Sequence, residues 1–229
     1  MKIARGIGSV LYTLAIYVGL PLIGWGLDDV TGFFSQPQLL VYSVSIALFG
    51  AVVGYQVSRS KEALRGGKGQ EDKFVSRQRV VRVVVTGLLL GALVFVPFAD
   101  RRAFGIIANS PLARWVGLTL ATLGMGVIIW SGLALGKLYS PDVTIQKEHH
   151  LITDGPYRCI RHPRYLGGMI QGIGLSLLFR SWIGLVLTGL FVAIILFRIK
   201  DEEALMGKEF GQEWETYCRK SWRLMPFMW

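Results

Sequence analysis

Apolar residues in this chain gather into six runs, at 6–27, 38–57, 81–99, 114–136, 165–179 and 182–198, divided by polar breaks. A helix that crosses a hydrocarbon core of about 30 Å needs about 20 apolar residues. The first four runs supply them. The last two are shorter, since about 15 residues at 1.5 Å rise reach only about 22 Å. The pattern predicts an all-α fold: a polytopic transmembrane helical bundle of about six membrane helices, the last two a short hairpin. Beyond 198, polar residues alternate with Phe210, Trp214, Tyr217, Trp222 and Phe227. That alternation predicts a C-terminal amphipathic helical tail, lying along the interface or capping a pocket.

Composition agrees with a membrane protein. Hydrophobic residues make up 52% of the 229, and only 17% are charged, against about 25% in typical soluble domains. The first run follows Met1-Lys-Ile-Ala-Arg5 and resembles a signal peptide in its flank. It is longer than a typical signal core and lacks a convincing small-x-small cleavage site, so a retained first helix is expected.

Charge then orients the bundle. Lys and Arg number 2 at the N-terminus, 8 in the 58–82 loop, 5 in the 137–164 loop and 6 from Arg198 onward. Only 4, namely Arg101, Arg102, Arg114 and Arg180, fall on the other side. The positive-inside rule therefore expects both termini and both long loops in the cytoplasm. Much of the net charge of +10 is thus a topological signal. Nucleic-acid binding is not expected, because the basic loop is broken by Gly66, Gly67 and Gly69 and carries one aromatic, Phe74. Its basic residues instead suit anionic membrane lipid. Cys159 and Cys218 lack CxxC spacing, and no disulfide is expected on the cytoplasmic side. No metal site is expected either: His149 and His150 beside Glu148 have no third well-spaced ligand.

Glycine pairs at i, i+4 recur as Gly50/Gly54, Gly87/Gly91, Gly132/Gly136 and Gly168/Gly172. Such pairs let membrane helices approach closely, and packing within one bundle is the expected use. The oligomeric state is left open.

Two polar stretches stand out against this apolar background. One is Gly155-Pro-Tyr-Arg-Cys-Ile-Arg-His-Pro-Arg-Tyr165, and the other is Arg198-Ile-Lys-Asp-Glu-Glu203. Ionisable residues at a bilayer boundary cost free energy and mark function. Pro163 suits a helix first turn, so the helix after it carries Arg161 and His162 at its mouth, beside a pocket that opens to the cytoplasm. Arg198 and Glu202 are four apart and share a helix face.

At these stretches the chain resembles the isoprenylcysteine carboxyl methyltransferase and phospholipid methyltransferase superfamily of integral membrane enzymes. The matching residues read Leu151-x-x-x-Gly155-x-Tyr157-x-x-x-Arg161-His162-Pro163-x-Tyr165-x-Gly167. Arg198-x-x-x-Glu202-Glu203 follows, then Phe210-Gly211, Tyr217 and Pro226. The resemblance covers about 137–229 and implies a division into N-terminal transmembrane helices (1–136) and a cofactor-binding catalytic region (137–229). It implies S-adenosylmethionine as methyl donor, and a lipophilic acceptor entering from the bilayer, an isoprenylcysteine-like carboxylate or a phospholipid amine. It also implies that Tyr157, Arg161, His162, Pro163, Tyr165, Gly167, Glu202 and Glu203 bind the cofactor, with Arg198 and Glu202 catalytic. The chain departs from the family pattern at Trp214, where Tyr is frequent, and at Ser221-Trp222, where Val-Pro is common.

The residue chemistry is compatible. Carboxylates at Glu202 and Glu203 can accept from ribose hydroxyls or an ammonium, and an arginine can grip a carboxylate with two N–H groups. His162 and Tyr165 present ring donors. An in-line methyl transfer to a carboxylate needs no base and rests mainly on alignment; an amine acceptor would need a base such as His162 or a glutamate.

Each residue taken singly has a plainer explanation: a helix-face ion pair for Arg198 with Glu202, an interfacial anchor for Tyr157, helix geometry for Pro163 and Gly167. Two rival classes remain at this point. Membrane sterol or steroid reductases resemble this superfamily in their C-terminal halves and use NADPH. A transporter or binding protein would instead place ionisable residues along several spans, and the first four runs carry nearly none.

Overall fold

The computed structural model describes residues 2–59, 73–74, 76–107, 110–136, 144–145 and 151–225. The central part of the basic loop, the Glu148–His149–His150 group, Pro226 and Phe227 lie outside the described residues. The first apolar run becomes α1 (Lys2–Leu14), a π-helical stretch (Ala15–Gly19) and α2 (Leu20–Trp25), end to end. A 3-10 turn (Leu27–Asp29) and α3 (Val30–Ser35) then reverse the chain. Asp29 caps α3 by accepting from Gly32 N at 3.0 Å, which satisfies a donor that the first turn leaves free.

The remaining helices are α4 (Pro37–Arg59), α5 (Ser76–Arg101), α6 (Pro111–Leu135), α7 (Pro163–Leu178), α8 (Trp182–Phe210) and α9 (Gln212–Lys220). Two-residue strands β1 (Lys73–Phe74) and β2 (Thr144–Ile145) pair antiparallel and tie the two long loops together. Among the described residues, five helical segments are long and apolar enough to cross a membrane: Gly6–Trp25, Pro37–Gln56, Val80–Arg101, Pro111–Leu135 and Trp182–Phe210. The protein is an all-α, multi-pass membrane protein.

The hairpin differs from its sequence expectation in one arm. Helix α7, at 16 residues, is as short as its apolar run. Helix α8 runs on for 29 residues, about 44 Å at 1.5 Å per residue. Loss of apolarity after 198 therefore marks where the helix leaves the hydrocarbon, not where it ends. Its end comes at Gly211, whose φ of 48° turns the chain while its N–H donates to Gly207 O at 3.1 Å.

Glycines bring α6 and α7 into backbone contact. A Cβ on Gly117 would lie 2.2 Å from Leu178 N, and one on Gly174 would lie 2.2 Å from Ala121 N. Gly124 and Gly167 face each other in the same seam, where a Cβ on Gly167 would meet Gly124 O at 2.8 Å. These residues recur at seven-residue spacing, outside the i, i+4 pattern. Of the i, i+4 pairs, Gly54 meets Gly6 of α1, while Gly168 and Gly172 meet Phe191 and Thr188 of α8. Gly87, Gly91, Gly132 and Gly136 face open space.

At the end of the bundle away from the two polar stretches, Arg114 and Arg180 converge on Asp100. Arg114 Nη2 lies 2.9 Å and Arg180 Nη2 2.8 Å from its carboxylate, whose side chain is fully buried. Arg114 also donates to Leu178 O at 2.9 Å. Two of the four arginines counted as topological signals thus also lock α5, α6 and the α7–α8 turn. Arg101 closes a second, exposed pair with Asp28 at 2.6 Å, and this pairing holds the Asp28 carboxyl down at about 2.

Candidate functional site

The first polar stretch enters as a 3-10 turn, Gly155–Arg158, and breaks at Arg161-His162 before Pro163 starts α7. Pro163 occupies the first turn, where a missing N–H costs nothing, and is fully buried. His162 is the residue just outside the helix and is itself buried.

The tail folds back over this stretch as a short parallel pairing. Arg161 N donates to Trp222 O at 2.7 Å, His162 N to Arg223 O at 3.1 Å, and Trp222 N to Cys159 O at 2.8 Å. From α9, Tyr217 donates its hydroxyl to Tyr157 O at 2.7 Å. Burial pushes the Tyr217 hydroxyl up to about 12, so it remains a donor at neutral pH. Burial likewise raises the Cys218 thiol, which favours its protonated form. On α9, Trp214 and Tyr217 line the cavity described below.

Side chains from both stretches meet in two linked clusters. In the first, Arg198 Nε donates to the Tyr165 hydroxyl at 2.8 Å, and that hydroxyl donates to Glu202 Oε2 at 2.7 Å. The helix-face pair anticipated between Arg198 and Glu202 is therefore joined through a tyrosine from α7. In the second, Glu203 gathers three partners. Its Oε1 accepts from Arg161 Nε at 3.1 Å and from Arg223 Nε at 3.0 Å, and lies 3.3 Å from His162 Nε2. Arg223 closes a second contact on Oε2. Arg161 spends another N–H on the carbonyls of Cys218 at 3.0 Å and Ser221 at 2.6 Å. The His162 and Tyr165 rings stack with centroids 5.6 Å apart, which couples the clusters.

Beside the first cluster lies a cavity of about 390 Å³, within the size range of small-molecule sites. Tyr157, Arg161, His162, Tyr165, Arg198 and Glu202 line its polar end. From there it runs between α5, α7 and α8 past Leu89, Val96, Phe191 and Leu187 to Phe179, so its far reach is apolar. Three of the anticipated site residues stand behind the wall. Pro163 and Gly167 shape α7 and its seam with α6, and Glu203 faces the tail. Sequence reasoning missed Gln171, Arg82 and Arg164 on the wall. The signal for Gln171 was available: a lone carboxamide in an apolar run, on the same helix stripe as Gly168 and Leu175.

A family model for phospholipid methyltransferases matches residues 112–213. A probable protein-S-isoprenylcysteine O-methyltransferase of Oryza sativa subsp. indica is 30% identical over 117 residues, which is 50% of this chain and 61% of that one. The cobalt-zinc-cadmium resistance protein CzcN of Cupriavidus metallidurans is 31% identical over 160 residues, 68% of this chain and 67% of that one. The chain spans about three-fifths or less of the length of its first curated relatives. A solved structure of the eukaryotic intramembrane Ras methyltransferase ICMT (isoprenylcysteine carboxyl methyltransferase) aligns over 96% of this chain and 97% of that one, with 17% identity and a TM-score of 0.49.

Proposed function

The chain belongs to the phospholipid methyltransferase and isoprenylcysteine carboxyl methyltransferase superfamily, and from that premise we propose that it is an integral membrane, S-adenosylmethionine-dependent methyltransferase. Its acceptor is a lipophilic molecule that enters from the bilayer, an isoprenylcysteine-like carboxylate or a phospholipid amine. The observation that carries this reading is the joint between two environments. The Arg198–Tyr165–Glu202 relay stands where a polar mouth passes into an apolar slot.

The donor set suits the cofactor. S-adenosylmethionine supplies an electrophilic methyl group on a sulfonium when bound. Glu202 offers a carboxylate to its hydroxyls or ammonium, with Oε2 already held in place by Tyr165. His162 and Tyr157 furnish ring and backbone contacts at the same mouth, and Trp214 and Tyr217 roof it. Glu203 acts at one remove: it clamps Arg161, His162 and Arg223 so that the tail keeps water from the mouth.

Arg198 is fixed on α8 at the junction, where a guanidinium orients an acceptor carboxylate or its ester-forming oxygen. Holding both reactants at such a junction supplies alignment, an effect able to contribute roughly 7–11 kcal/mol. The positive-inside count supports a cytoplasmic mouth and cytoplasmic termini. The test is incubation of the purified protein with methyl-labelled S-adenosylmethionine and a membrane extract. A labelled lipophilic product identified by mass is expected. Label found only in water-soluble products, or in none, would overturn the reading.

A further inference from the structure

Helix α7 presents one continuous stripe to the slot: Tyr165, Gly168, Gln171, Gly172, Leu175 and Phe179. Within this stripe Tyr165 and Gln171 are the polar members, and Arg164 and Ser176 of α7 also reach the wall. Tyr165 is satisfied on both sides by Arg198 and Glu202. Gln171 is not. It is only 4% exposed, and among the described residues its hydrogen bonding amounts to one contact, Nε2 to Met125 Sδ at 3.9 Å. A thioether is a weak acceptor, whereas a carboxamide offers two N–H donors and a carbonyl with two lone pairs.

The slot's other deep polar groups differ. Ser176 donates to Gly172 O at 2.7 Å and Thr188 to Gly184 O at 2.8 Å, and the two hydroxyls lie 3.4 Å apart, so both have strong partners within the protein. The Gln171 carbonyl oxygen has no donor among the described residues, yet it is not sealed inside protein. Gln171 itself lines the slot.

A buried, half-satisfied amide carries a free-energy penalty that a ligand hydrogen bond removes. A leucine here would be cheaper if the slot took only hydrocarbon. We propose that Gln171 is a specificity-determining residue, selecting lipophilic acceptors that carry a hydrogen-bonding group partway along the slot. It lies six positions beyond Tyr165, so that group sits about 9 Å deeper than the polar relay. The inference rests on the methyltransferase reading for the word acceptor, and on the cavity alone for the contact. The chemistry asked of the ligand is that of a hydroxyl, which both donates and accepts. It satisfies the carboxamide whichever way its oxygen and nitrogen are oriented.

The test compares hexadecane with 1-hexadecanol, probes that differ by one hydroxyl, on the full chain in detergent. For each probe the concentration giving half the maximal rise in Tm is measured. The wild-type protein should respond to the alcohol at about tenfold lower concentration than to the alkane. Gln171→Met, unbranched and of similar length, should abolish that preference and leave the alkane response unchanged. Gln171→Leu serves the same comparison if the Met variant misfolds. Since both probes meet the same detergent, partition differences cancel between wild type and variant. Full retention of the preference by the variants overturns the proposal. So does an equal weakening of both probes, which would mark a packing role, or a wild-type protein without preference. Binding of labelled S-adenosylmethionine is followed in the same samples. Its absence in wild type would sink the methyltransferase reading while the probe comparison still stands.

Discussion

Glu203 stands behind the cavity wall, on the side of the tail. Its carboxylate holds Arg161, His162 and Arg223, and through them the backbone pairing of the tail with the Cys159–His162 segment. Removing one partner from a buried ion cluster leaves the others uncompensated, at a cost of about 3 kcal/mol. Glu203→Ala should therefore lower Tm and expose residues 212–225 to protease, while α1–α5 keep their protection. Unchanged protease resistance of the tail would show that the clamp is not what holds it. From sequence, Glu202 and Glu203 look equivalent, a pair of neighbouring acids on one helix. They differ only because successive residues on α8 point about 100° apart, one toward the slot and one toward the tail. The family resemblance puts both in one motif, but which faces the cavity depends on where α9 folds. No local spacing encodes that.

At the scale of elements, the apolar runs were legible because hydrocarbon imposes the same length and composition on every crossing helix. Helix ends were less so. The exit of α8 from the membrane reads clearly in composition, whereas its last twelve residues are helical for a different reason, with no break before Gly207 and a left-handed turn at Gly211. The α6–α7 seam was hidden because its glycines are spaced by seven. Such spacing keeps one stripe of two nearly parallel or antiparallel helices in contact over several turns. Gly174→Val places a branched side chain where a Cβ alone would sit 2.2 Å from Ala121 N. The helices would have to part, and overpacking of this kind costs about 1–3 kcal/mol. The same change at Gly87, which meets nothing within 4 Å, should leave Tm nearly unmoved. Comparable losses at both positions would refute the seam as the tighter contact.

Across the whole molecule, polarity is divided between two ends. One end is stapled by the buried Arg114–Asp100–Arg180 cluster and carries few lysines or arginines; the other carries the two long loops, the tail and the polar mouth. Cysteines introduced singly at Ser35 and Thr216, in a background lacking Cys159 and Cys218, test the orientation. A membrane-impermeant maleimide should label position 35 in intact cells and position 216 only after permeabilisation. The reverse pattern would invert the topology. The central claim is that the two polar stretches, some forty residues apart in sequence, build one cofactor site. Equilibrium binding of labelled S-adenosylmethionine to wild type, Glu202→Gln and His162→Ala tests it most directly, provided each variant keeps its wild-type Tm in the absence of ligand. The account predicts saturable binding to wild type and at least a tenfold loss in each variant. Binding of wild-type strength in both would contradict it.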